Sequence, residues 1–67
     1  MTQEQMTPNQ RKALWELCRQ GLHHAAQQAE RTWAQGQPYQ PEHPGQVARE
    51  VGQLIHVCNV EVSRPAA

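Results

Sequence analysis

Three prolines, Pro38, Pro41 and Pro44, stand between Gly36 and Gly45, and this stretch constrains the fold more than any other feature of the chain. Proline fixes φ near −65° and removes a backbone donor, so the stretch is held extended and semi-rigid. It is the only clear loop in the sequence. It separates two segments whose apolar residues recur with helical spacing.

The first segment opens on Thr7-Pro8-Asn9-Gln10. Thr suits the N-cap, Pro the first helical position, and Gln the third residue of a capping box. At about 100° per residue, Leu14, Trp15, Cys18, Leu22, Ala25, Ala26, Ala29 and Trp33 fall within roughly a third of the circumference. This stripe predicts one amphipathic helix over 8–35. Gly21 is the competing signal: it suits a left-handed cap after Gln20, with Leu22 folding back on Leu17. The stripe keeps its phase across the glycine, and a helix beginning after Gly21 has no capping side chain, so continuity is the expectation.

Beyond the prolines, Val47, Ala48, Val51, Leu54, Ile55, Cys58 and Val62 form a second stripe about 120° wide, predicting a helix over 44–62 that starts at Pro44 and ends before Ser63-Arg64-Pro65. The rival is a strand over 54–62, where β-branched residues are dense. Taken together, the sequence predicts an all-α fold. A flexible N-terminus, 1–6, precedes a single domain over 7–64, an antiparallel helical hairpin with a Pro-rich loop at 36–43, and a tail covers 65–67.

A chain of 67 residues builds a core of marginal size unless disulfides, a metal or further subunits reinforce it. Two cysteines are too few for a secreted disulfide scaffold. The start, Met-Thr-Gln-Glu-Gln, lacks a signal peptide's basic and apolar regions, and no apolar run approaches a membrane span. The expectation is a cytoplasmic protein with reduced thiols, reinforced by assembly into a homo-oligomeric helix bundle. Six Lys/Arg balance six Glu, which argues against a nucleic-acid or membrane partner, both of which need a basic surface. The eleven glutamines are dispersed along both halves and read as solvated helix surface.

Several constellations bear on chemistry. Cys18, His23, His24, His56 and Cys58 comprise zinc-type ligands, but neither the spacing of Cys18 and His23 nor that of His56 and Cys58 places a pair on one helical face. Thiols inside apolar stripes are poor nucleophiles, and no carboxylate is placed to orient a histidine. The sequence therefore predicts no enzyme, no metal and no cofactor. A DNA-reading helix-turn-helix with Gly21 in its turn needs apolar residues near Gln27 and Glu30, where both are polar.

Two binding functions remain. The expected one is a protein-binding accessory role, as an adaptor, assembly subunit or inhibitor of the kind phage, mobile-element and operon proteins serve. Its contacts are assigned to the apolar residues Trp15, Leu17, Leu22, Trp33, Val57 and Val60; Leu17, Val57 and Val60 fall outside the stripes. The alternative is an oligomeric protein that binds or sequesters an anionic ligand such as a nucleotide near the hairpin tip, through Arg31, Trp33, Tyr39, His43 and Arg49.

Overall fold

The computed structural model describes residues 6–63, which form three α-helices and no strand. Helix α1 spans Pro8–Arg19, α2 spans His23–Ala34 and α3 spans Arg49–Ser63. The expected all-helical class is what the chain adopts. The expected arrangement is not, because the first helix is two helices.

α1 starts where its capping box places it. The Gln10 amide donates to Thr7 Oγ1 at 3.1 Å, and the Thr7 amide donates to Gln10 Oε1 at 3.2 Å. It ends at Gly21, whose φ of +82° lies in the left-handed region. There the Gly21 amide donates to the Cys18 carbonyl at 2.9 Å and the Leu22 amide to the Leu17 carbonyl at 2.8 Å. That pair of bonds satisfies carbonyls that would otherwise be orphaned at a helix end. Helix α2 then begins with no side-chain cap. It ends on the same device: Gly36 has φ +74°, with the Gly36 amide bonded to the Trp33 carbonyl and the Gln37 amide to the Thr32 carbonyl.

The break at Gly21 corrects the expected helix over 8–35. A stripe that holds its phase across a glycine fits two helices folded on each other as well as it fits one long helix. Folding back buries the α2 stripe directly on α1, whereas a straight helix would leave half of it uncovered by the shorter third helix.

The second expected helix is also shortened. Pro44–Gln46 makes a single 3₁₀ turn, Val47 is extended at φ −93° and ψ 126°, and the α-helix begins only at Arg49. Val47 thereby tucks its side chain against the core. Residues 54–62 are helix and not strand.

α1 packs against both α2 and α3. Its start is tied to the end of α3 by a hydrogen bond from Asn9 Nδ2 to Glu61 Oε1 at 3.3 Å, so these two helices run antiparallel. The core is built on Ala13 and Leu17 of α1, Ala26, Ala29 and Trp33 of α2, Tyr39 of the loop, and Val51, Ile55 and Cys58 of α3. Met6, assigned to the flexible N-terminus, is also buried, while residues 1–5 and the expected tail at 65–67 lie outside the described residues.

The loop does not form a tip beyond the helices. Tyr39 is buried, and Asn59 of α3 clamps its backbone: the Tyr39 amide donates to Asn59 Oδ1 at 2.8 Å, and Asn59 Nδ2 donates to the Tyr39 carbonyl at 2.7 Å. Trp33 Nε1 donates to the same Oδ1 at 2.8 Å. The Trp33 and Tyr39 rings meet edge to face at 6.1 Å. From there residues 40–47 return along the bundle, and His43 lies beside His23 and His24 at the start of α2.

Candidate functional site

The core sorts the apolar residues differently from the sequence pattern. On α1 the buried positions are Gln10, Ala13 and Leu17. The direction they define is rotated by roughly a third of a turn from the stripe of Leu14, Trp15 and Cys18. Leu17, assigned to a partner surface, has no exposed area, and Trp33 is 4% exposed. Leu22 is half-buried against the core. Leu17 and Trp33 are packing residues, which corrects their assignment, while Leu22 keeps part of its surface open. Cys18, expected to be buried, is exposed, whereas Cys58 is buried as expected.

Trp15 moves the other way. It is 62% exposed, with Val57 at 43% and Val60 at 40%. The reason is position: α1 lies between two helices and meets them through the side that carries Gln10, Ala13 and Leu17, and at about 100° per residue Trp15 falls on the opposite side. Trp15 instead carries the Arg19 guanidinium, 5.6 Å from its ring centroid. Arg19 is held in turn by Glu16, through Nη2 to Oε2 at 3.0 Å and Nε to Oε1 at 3.3 Å. That pairing lowers the Glu16 carboxyl below its ordinary range and raises Arg19, with the charge of Glu50 on α3 adding to the latter.

The bond between Asn9 and Glu61 also fixes which side of α3 faces α1. At about 100° per residue, Glu50, Leu54, Val57 and Glu61 fall within roughly 60° of one another on that side. Lys12, Trp15, Glu16 and Arg19 make the corresponding strip on α1. One face of the α1–α3 pair thus carries an exposed tryptophan, a half-buried leucine and an exposed valine, bordered by Lys12 and Arg19 on one helix and Glu50 and Glu61 on the other. Val60 continues the apolar surface one turn from Val57.

The residues assigned to an anion site are gathered only in part: Tyr39 meets Trp33 edge to face and lines one cleft with Arg31 and another with His43, whereas Arg49 shares neither. Arg31 lines a shallow cleft with Thr32, Pro38 and Gln40. His43 lines a cleft of about 180 Å³ with His23, His24 and Glu42. Arg49 lines a third, with Pro41, Pro44 and Gly52. Trp33 and Tyr39 are buried, and burial, with the charge of Glu42, raises the Tyr39 hydroxyl pKa. The return of the loop along the bundle sets Arg49 apart, because Arg31 stays at one end of α2 and Arg49 opens α3 after the whole return.

Among the described residues no three His, Cys, Asp or Glu side chains stand close enough to hold a metal ion, and no helix is long and apolar enough to cross a membrane. The Gly21 turn does make a helix–turn–helix shape, but Gln27 and Glu30 are exposed and α2 carries only one Lys or Arg, Arg31. Comparison with known protein families, with curated proteins and with solved structures finds no match. Function therefore has to be read from the surface itself. Sequence reasoning missed Asn59, the residue that ties the loop to α3; a lone polar residue between Cys58 and Val60 was the available signal.

Proposed function

We propose that this protein is a small non-catalytic accessory protein, an adaptor, assembly subunit or inhibitor, that works in the cytoplasm by docking another protein chain through α1 and α3. The observation that carries the reading is Trp15. A 62% exposed tryptophan stands outside the core, with Val57 and Val60 exposed on the neighbouring helix. Covering such a residue is worth on the order of 2–4 kcal/mol, and tryptophan beside arginine is the commonest kind of residue to dominate a binding interface. Every buried side-chain nitrogen and oxygen among the described residues already has a hydrogen-bond partner, so the fold does not need Trp15 for internal satisfaction.

Capture from the native host with the tagged protein, followed by mass spectrometry, tests this. A specific protein is expected with the unmodified chain and with Arg31→Ala or Arg49→Ala. It is expected to be lost with Trp15→Ala and Val60→Glu, with helicity unchanged. Loss in the arginine variants and retention in the Trp15 variant would transfer the function to an anionic ligand.

A further inference from the structure

The face around Trp15 is charged in a way that narrows what covers it. On α1, Trp15 lies between Lys12 and Arg19. On α3, Leu54 and Val57 lie between Glu50 and Glu61. The spacing 50, 54, 57, 61 is that of a helix seam, four, three and four residues apart. One helix therefore offers an aromatic among Lys12, Arg19 and Glu16, a strip of net positive charge, and the other offers two aliphatics between two anions.

The heights match as well. Taking the Asn9–Glu61 hydrogen bond as the common level, a rise of about 1.5 Å per residue puts Arg19 at ~15 Å along α1 and Glu50 at ~16 Å along α3. Trp15, at ~9 Å, falls between Val57 at ~6 Å and Leu54 at ~10 Å. Lys12, at ~4 Å, is within side-chain reach of Glu61.

We infer that the occupant of this face is a second copy of the same chain, related by a two-fold axis parallel to the helices, with α1 of each copy lying on α3 of the other. This rests on the docking face proposed above and names its partner. In this arrangement each Trp15 seats between the partner copy's Leu54 and Val57, each Arg19 meets the other copy's Glu50, and each Lys12 approaches the other copy's Glu61. Because the interface is isologous, every contact occurs twice. The other two-fold, perpendicular to the helices, lays α1 on α1 and α3 on α3, opposing two strips of net positive charge and two of net negative charge. Like charges brought together across an interface are unfavourable, so the charge pattern selects the first axis. The surface required is available: an interface of standard size takes about 800 Å² per partner, roughly a sixth of the 4945 Å² of the chain.

Sedimentation equilibrium on the full chain and on two charge-reversed variants tests the arrangement. The unmodified chain is expected to be a dimer at tens of micromolar. Arg19→Glu and Glu50→Arg each place like charges at both symmetric contacts, and each is expected to be monomeric with its helicity intact. An equimolar mixture of the two variants restores opposite charges at both contacts of a mixed pair, so the dimer mass is expected to return. Repulsion within one chain would persist on mixing, so recovery reports contact between chains. Trp15→Ala serves as a second, uncharged disruption and is expected to weaken the dimer at least 30-fold. A monomeric unmodified chain at ~100 µM, dimeric single variants, or a mixture that stays monomeric would each overturn the inference. A monomer that still captures a different protein through Trp15 would overturn it while leaving the proposed function standing.

Discussion

Cys58 has no exposed area, and burial, with Glu61 nearby, pushes its thiol up to about 11. The unfolded chain releases that proton at an ordinary thiol value, near 9. Between the two values the folded state binds more protons than the unfolded state. Its stabilising effect is therefore complete below about pH 9 and lost as pH rises through about 11, at up to ~1.4 kcal/mol per pH unit. Tyr39, also raised by burial, adds to the decline above its ordinary value near 10. Urea midpoints measured from pH 7 to 10.5 under reducing conditions are expected to fall above pH 9, and to fall less in Cys58→Ala. Equal slopes in the two proteins would show that the thiol is not the titrating group. The burial of Cys58 was legible in the sequence because α3 buries the stripe its periodicity describes. That of Cys18 was not, because α1 buries a different side from the one its largest apolar residues mark.

Glycines decide where α1 and α2 end, and two glycines of the chain separate the roles the residue plays. Gly21 sits at φ +82° and carries the bonds that close α1. Gly52 lies inside α3, and a Cβ there would meet no atom within 4 Å. Gly21→Ala is expected to destabilise by about 1–2 kcal/mol, since an L-residue in the left-handed region meets its own carbonyl. Gly52→Ala is expected to stabilise by about 0.5–1 kcal/mol by restricting the unfolded chain without strain in the helix. Denaturant midpoints that shift in the same direction would refute this distinction. The turn at Gly21 shows why periodicity alone predicts a continuous helix. Periodicity records which residues want burial, whereas a glycine in αL decides whether the chain turns back to bury them. Leu17 shows the consequence, since it lies outside the continuous stripe yet ends fully buried.

A single amide ties α2, the loop and α3 together, while α1 packs against both helices. Asn59 accepts from Trp33 of α2 and from the Tyr39 amide, and donates to the Tyr39 carbonyl. Removing it leaves three polar groups short of partners in a half-buried position. Asn59→Ala is expected to cost about 3 kcal/mol. At ~0.05–0.15 kcal/mol per residue, a chain of this size has only about 3–10 kcal/mol of stability. Circular dichroism and urea titration are expected to show Asn59→Ala largely unfolded or close to it. Asn59→Asp, which keeps the acceptor for Trp33 and for the Tyr39 amide, is expected to lie between Ala and the unmodified protein. An alanine variant as stable as the unmodified chain would mean that water replaces all three bonds.

At this scale the sequence alone determined the helical class, the capping box at Thr7, the extended proline stretch and the apolar side of α3. Each is set by local geometry: a cap, a fixed φ, a period of 3.6. Only the tertiary structure decided the turn at Gly21, the return of residues 40–47 along the bundle, the exposure of Trp15 and the dispersal of Arg31, His43 and Arg49. Those depend on which surfaces meet. The side on which α1 meets its neighbours leaves Trp15 outside whatever its hydrophobicity, and a loop bonded to Asn59 runs back along the bundle.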